Sequence, residues 1–222
     1  MSKEQIKLFL MENQSAITKE HISCSDILDL KDQFYKEFGK KPRISEAIIY
    51  TWLHFYINKY TDGSNKRKVV VKPETKFSAK FGNQTLDISV LEENTIKLGV
   101  SIKMSTSTSA YLDGADFINP FFDKYRKHFV KDEEEYERKR REGKRIGVPT
   151  LLQDMARIEN LKSIRPYFPS ITIVYSGRKP KDSFWIQEFE KLGHSYIFLK
   201  ESLDVSFIEV LKSKFPSFAN MR

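Results

Sequence analysis

The sequence predicts a mixed α/β fold: a mixed central β-sheet flanked by helices and preceded by a helical N-terminal segment. Three observations lead there. Apolar residues recur at helical spacing through the first sixty positions, the period switches to two beyond Lys66, and the last third alternates apolar strands with amphipathic helices. A chain of 222 residues can bury a sizeable core as one globular unit. The change of period divides it into a helical segment, 1–65, packed on a core formed by 66–222.

Ile6, Phe9 and Leu10 share one face of a first helix that follows Ser2. A second helix, with Ser25 as its N-cap, carries Ile27, Leu30, Phe34 and Phe38 and stops at Gly39. Ser45 then caps a third, whose Ile49, Trp52, Leu53, Tyr56 and Tyr60 make a wide aromatic face, and 61–65 is a loop. Strand-like runs follow at 69–71, 77–79, 86–91 and 96–103, and the turn at 92–95 makes the last two antiparallel neighbours. After Lys103 the chain turns helical. Residues 131–145 read as a charged helix with acids first and bases last, closed by Gly147 and Pro149. Thr150 caps a helix bearing Leu151, Met155, Ile158, Leu161 and Ile164. The apolar run 170–175 is a strand buried on both faces, reached by a crossover. A helix at 182–192, a strand at 196–199 and a helix at 203–215 complete the pattern.

With 38 Lys and Arg against 30 Asp and Glu, the formal charge is +8, which favours a polyanionic partner. Nucleic acid is the better match than membrane, because the apolar stretch 6–11 is too short to span a bilayer. The first residues lack the layout of a signal peptide, so a cytoplasmic protein is expected. Cys24 is the sole cysteine, which excludes an internal disulfide and a thiolate zinc cluster. His21, His54, His128 and His194 lack metal-ligand spacing, and neither a phosphate-cradling Gly-rich loop nor a nucleophile elbow is present. Nucleotide use and serine-type hydrolysis are therefore not expected.

Asp87 sits inside one apolar strand and Lys103 ends the next, sixteen residues on. Two strands and a tight turn would bring the two together. A strand carboxylate can hold Mg²⁺ while leaving metal-bound waters free, and a nearby lysine can orient or deprotonate water and offset charge on a phosphate. Alone, such a pair is common at solvent-facing positions. The order along the chain adds to it: Leu86-Asp87, a turn, Val100-Ser101-Ile102-Lys103, a Ser/Thr loop, helices, the apolar strand running into Ser176-Gly177, then helix, strand and helix.

This layout, from about Thr75 to the C-terminus, resembles the restriction-endonuclease-like PD-(D/E)XK nuclease superfamily, and within it the FokI-type cleavage domain. The resemblance implies a Mg²⁺-dependent endonuclease of the type II restriction kind that cuts double-stranded DNA, often as a homodimer. Asp87 matches the motif's first acid and Lys103 its lysine. Leu86 stands where proline is usual, and Ser101 stands where the second metal-binding acid belongs. A replacement carboxylate is therefore expected: Asp113 or Asp116 just beyond the lysine, with Asp116 preferred, or Glu46 on the aromatic helix. Ser101 would contact phosphate or support the site from behind. The alternative is a catalytically inactive DNA-binding or structural subunit with the same fold.

Candidate DNA contacts are the hydroxyls of Ser105, Thr106 and Ser107 and the basic clusters Lys66-Arg67-Lys68, Arg140-Arg141 and Arg178-Lys179. The helices between Ser25 and Tyr60 have the size of a helix-turn-helix. The second is too apolar to expose a base-reading face and is expected to pack on the sheet.

Overall fold

The computed structural model describes the chain except at positions 1, 42, 62–68, 107–108, 113, 166, 178, 180–183, 217 and 219–222. Four helices come first: α1 (Ser2–Glu12), α2 (Gln14–Ile17), α3 (Cys24–Phe38) and α4 (Arg43–Thr61). Strands β1 (Val69–Ser78), β2 (Asn83–Glu92), β3 (Thr95–Lys103) and β4 (Ser109–Leu112) follow, then a 3-10 turn (Gly114–Ile118), α5 (Pro120–Tyr125) and α6 (Glu133–Arg141). The chain continues through β5 (Ile146–Pro149), α7 (Thr150–Lys162), β6 (Ser170–Val174), α8 (Phe184–Lys191), β7 (His194–Phe198) and α9 (Phe207–Lys214).

The central sheet runs β1-β2-β3-β6-β7. Its first three strands are antiparallel, and β3, β6 and β7 are parallel. Strand β3 is the pivot, antiparallel to one neighbour and parallel to the other. The fold is thus mixed α/β with helices on both faces of a five-stranded sheet. Ile88, Val90, Leu98, Val100, Ile102, Ile171 and Ile173 form one core with residues of α1, α3, α4 and α9. Gly99, Ser101 and Lys103 alternate to the other face, where Val174, Tyr196 and Phe198 join the second core with residues of α5, α7 and α8. All five residues of β6 are buried, as expected for a strand covered on both sides.

Helix α4 packs on the sheet, as its aromatic face demands. Trp52 is fully buried, stacks on Tyr56 at 5.1 Å, meets Phe207 edge-on at 4.9 Å, and donates its indole N–H to the Lys19 carbonyl at 2.9 Å. The apolar face of α4 is thus turned to the core, as expected for a helix that packs on the sheet. Helix α3 starts in a capping box: the Ser23 hydroxyl accepts the Asp26 N–H at 3.0 Å, and the Asp26 carboxylate accepts the Ser23 N–H at 3.2 Å.

Several boundaries differ from the sequence reading. The cap of α3 is Ser23, not Ser25, because only Ser23 has an acid three residues later. Ser45 lies buried inside the first turn of α4, with its hydroxyl on the Met104 sulfur at 3.0 Å. Thr150 is the first residue of α7 rather than its cap. Between Lys103 and α5 the chain first forms β4, which pairs antiparallel with β5, so Gly147 and Pro149 belong to a strand. Ile146 and Val148 point inward there, an alternation too short to stand out in the sequence. The loop at 62–65 lies outside the described residues.

The β2–β3 connection is a two-residue turn, Glu93-Asn94, with φ of +48° and +68°. Positive φ at both positions is the geometry in which Asn-Gly is favoured, and glutamate is held there against its steric preference. Glu93→Asn is expected to raise stability by roughly 0.5–1 kcal/mol, read as a higher urea midpoint at unchanged slope. A lower midpoint would mean the Glu93 side chain contributes more than its backbone costs.

Candidate active site

The ladder between β2 and β3 stops at the pair Ile88–Val100 although β3 runs on to Lys103. In the gap, Oδ2 of Asp87 accepts the Ile102 backbone N–H at 2.6 Å. The carboxylate thus replaces the missing strand partner of a buried donor. Burial raises the Asp87 carboxyl above its usual range, and the Ile102 N–H and the Lys103 charge oppose that rise. Oδ1 has no partner among the described residues.

Asp87, Ser101 and Lys103 line one cleft of about 40 Å³ together with Asp154 and Arg157 of α7. That volume holds a water or two rather than a nucleoside. Lys103 lies 3.2 Å from Oδ1 of Asp154, a carboxylate only 4% exposed. Asp154 holds the lysine above its ordinary pKa despite burial. Conversely, burial would raise Asp154, but Lys103 and the Thr172 hydroxyl outweigh it and keep the carboxyl below its usual range. Arg157 makes no ion pair or hydrogen bond with any described residue, and the Ser101 hydroxyl makes none either. Ser101 is buried and Arg157 half-buried.

Behind the ion pair runs a buried polar chain. Thr172 donates its only hydroxyl proton to Oδ2 of Asp154. His194 Nε2, 2.9 Å from that hydroxyl oxygen, must then be the donor, and Nδ1 accepts from the Ser170 hydroxyl at 2.8 Å. Burial pushes the imidazole down to about 3, so His194 is neutral at physiological pH. Lys103, rather than this ring, supplies the positive charge that holds Asp154.

Glu46, near the start of α4, is the sequence candidate that lies within electrostatic reach of the site. Burial raises its carboxyl first, then the charges of Asp87 and of Glu74, while Arg43 and Lys103 pull the other way. Glu74, ion-paired to Arg43 at 3.1 Å, lies on β1 between Pro73, paired with Ile88, and Thr75, paired with Leu86. Asp116 is buried in the 3-10 turn and does not line the cleft. Asp113 lies outside the described residues. Among the described residues no three His, Cys, Asp or Glu side chains converge as a preformed metal cage. The free oxygen of Asp87 nevertheless suits a hard cation such as Mg²⁺, which commonly takes one or two carboxylates and completes its shell with water and phosphate, whereas Glu46 lines a separate pocket with Arg43, Tyr50 and Glu74.

Ser105 and Thr106 follow Lys103 at the carboxyl edge of the parallel strands. The Ser176 N–H donates to the Met104 carbonyl at 2.8 Å, and a Cβ at Gly177 would lie 3.0 Å from the Thr106 nitrogen, so this loop and the Ser176-Gly177 turn touch. Lys179 is exposed beyond that turn, its N–H held by Glu201 at 2.6 Å. Arg140 is used within the fold, donating to the Phe117 carbonyl at 2.9 Å and facing Asp123 at 3.7 Å. Arg141 is exposed and donates to the Glu137 carbonyl at 3.4 Å. Lys66, Arg67, Lys68, Ser107 and Arg178 lie outside the described residues. Cys24 is buried, and that burial pushes its thiol up to about 12.

Asp154, Arg157, Thr172 and His194 did not emerge from the sequence. Asp154 interrupts the apolar stripe of α7 three residues after Leu151 and four before Ile158. An acid on the buried face of a helix needs a buried partner, and that was the available signal. No family model matches this chain, and neither a curated protein nor a solved structure matches it.

His194 also makes stability depend on pH. The unfolded ring takes up a proton below about 6.5 and the folded ring does so only near 3. Its contribution is therefore complete above 6.5 and is lost as pH falls towards 3, with a slope approaching 1.4 kcal/mol per pH unit. His194→Gln is expected to flatten the urea-derived stability profile across that window by about this slope. A profile parallel to the wild type would show that His194 charges freely in the folded protein.

Proposed function

We propose that the chain is a Mg²⁺-dependent endonuclease that hydrolyses DNA phosphodiester bonds, a restriction-type enzyme on a PD-(D/E)XK core. The observation that carries this reading is the meeting of Asp87 and Lys103 in one cleft beside an unpaired arginine. The sheet order supports it too: an antiparallel β1-β2-β3 unit joined through α7 to a parallel strand is the arrangement expected from the resemblance.

Asp87, through its free oxygen, would hold the metal, which when bound polarises a phosphate and lowers the pKa of a coordinated water, and Glu46 would have to reach it from the separate pocket it lines. Arg157 and the Ser101 hydroxyl contact the non-bridging phosphate oxygens. Lys103, kept as an ammonium by Asp154, offsets the charge that develops on the phosphate and orients the attacking water rather than deprotonating it. The water oxygen bonds to phosphorus as the ester P–O bond breaks; the attacking water releases its proton to bulk solvent, the leaving oxygen takes one up from solvent, and Lys103 stays an ammonium throughout. Ser105, Thr106 and Lys179, at the same edge of the sheet, position the duplex without reading its sequence. Two copies, one per strand, would make a double-strand cut.

A second reading has a specific observation in its favour. Ser101 replaces an acid and no three-acid cluster is present among the described residues, as in a DNA-binding subunit that has lost its chemistry.

The test is incubation of the purified chain with plasmid and long linear DNA, with Mg²⁺ or with EDTA. Discrete fragments that require Mg²⁺ are expected, with at least about a 100-fold loss in Asp87→Ala and Lys103→Ala. Arg157→Ala is expected to weaken binding alike on every sequence and to lower the salt slope by about one counterion. DNA binding without cutting under any metal would establish the inactive-subunit reading, and absence of both would overturn the DNA assignment.

A further inference from the structure

We propose that the buried chain Ser170–His194–Thr172–Asp154 is a positioning device that fixes the Asp154 carboxylate so that it aims Lys103 into the cleft. This rests on the nuclease reading for its purpose, not for its geometry. Each link is one hydrogen bond with a forced direction. Thr172 has a single hydroxyl proton, and Asp154 takes it. The His194 Nε2–H must then point to the Thr172 oxygen at 2.9 Å, and the Ser170 hydroxyl must point to Nδ1 at 2.8 Å. The carboxylate cannot rotate without leaving Thr172 unpaired, so its other oxygen stays 3.2 Å from the Lys103 ammonium.

The surroundings favour a functional purpose over a structural one. Ser170, Thr172, Asp154 and His194 are between 0% and 4% exposed, on a face otherwise built from Val174, Phe168, Tyr196 and Phe198. Apolar residues of matching volume would stabilise such a position as well as a buried ion pair or better. The exposed end of the chain is the lysine: Lys103 retains 23% of its side-chain surface and lines the cleft. The network therefore presents one cation in a fixed direction, from three consecutive parallel strands and α7, beside Asp87 and Arg157. Lys103 is the residue that touches substrate. Asp154, Thr172 and His194 act through it.

Thr172→Val keeps shape and removes the link, and Thr172→Ser keeps the link. His194→Leu and His194→Gln form the matching pair one step further back, because the glutamine amide replaces the Nε2–H donor. Two readouts separate positioning from mere folding. In protein labelled with ¹⁵N-lysine, the Lys103 ammonium signal, assigned by its loss in Lys103→Met, is expected to be protected from exchange in the wild type, Thr172→Ser and His194→Gln. It is expected to broaden away in Thr172→Val, His194→Leu and Asp154→Asn. On DNA, Thr172→Val is expected to lose about 10- to 100-fold in kcat with KM unchanged, and Thr172→Ser to stay within about threefold of the wild type.

If Asp154→Asn does not fold, the two threonine variants carry the test. An ammonium signal and kcat unchanged in Thr172→Val would overturn the proposal. Loss of the signal in that variant, in a wild type that cuts no DNA, would overturn the nuclease reading while supporting the hold on Lys103.

Discussion

The structure depends on what happens to the Ile102 amide. Strand β3 is paired on its other side with β6, Ile102 against Ile173, so it cannot swing towards β2 to close the gap beyond Val100. A buried N–H left open there would cost about as much as a lost hydrogen bond. Asp87 supplies the acceptor at 2.6 Å. One hydrogen bond thereby ends the antiparallel ladder, lets the strands splay, and leaves a carboxylate with one engaged and one open oxygen at the mouth of a cleft. Everything else in the site is arranged around that opening.

The charges of the cleft balance locally. Asp87 and Asp154 face Lys103 and Arg157, so two carboxylates meet two cations in a volume with little room for water. The pairing is asymmetric. Asp154 and Lys103 are committed to each other, while Asp87 and Arg157 keep free atoms. The committed pair is rigid because the carboxylate is held from behind, and the free pair is what a ligand meets. The chain's excess of positive charge does not change this, since the bases of α6 are largely tied to acids of the same region: Lys139 to Glu135, Arg138 to Glu142 and Arg140 to Asp123. That helix is a solvated surface paired with nearby acids, whereas Arg157 faces Asp87 across the cleft without forming an ion pair with a described residue.

Much of the fold was legible because burial leaves periodic marks. The stripe Trp52, Leu53 and Tyr56 requires a sheet to cover it, and the all-apolar run at β6 requires cover on two sides. The β2–β3 hairpin was legible from alternation and a polar turn. Caps and short strands were not: Ser23 and Ser25 differ only in what stands three residues later, and β4 and β5 are four residues each, stabilised by one another rather than by any local pattern. In the site, Asp87 and Lys103 could be paired from strand lengths alone. Asp154 and His194 could not, because their meeting depends on how α7 and β7 lie against β3 and β6, which no spacing along the chain encodes. The polar atoms were visible as oddities in apolar runs, but oddity does not name a partner.

Ser101 gains a physical reason from this arrangement. Position 101 shares the α7 face of β3 with Lys103, and its side chain is buried in the same cleft. An acid there would put a third carboxylate beside Asp87 and Asp154 against two cations, in surroundings where burial already raises the Asp87 carboxyl. One of the three would be driven to take a proton, or Asp154 would have to release Lys103. With serine the balance holds, and a neutral hydroxyl remains to meet an anion beside Arg157. An acid at position 101 and Asp154 would in this sense be alternatives: the cleft has room for the negative charge of one, and the helix supplies it. The consequence for the proposed chemistry is specific. A metal in this cleft would lean on Asp87, since Glu46 lines a separate pocket, and the lysine would be tuned by the carboxylate of Asp154.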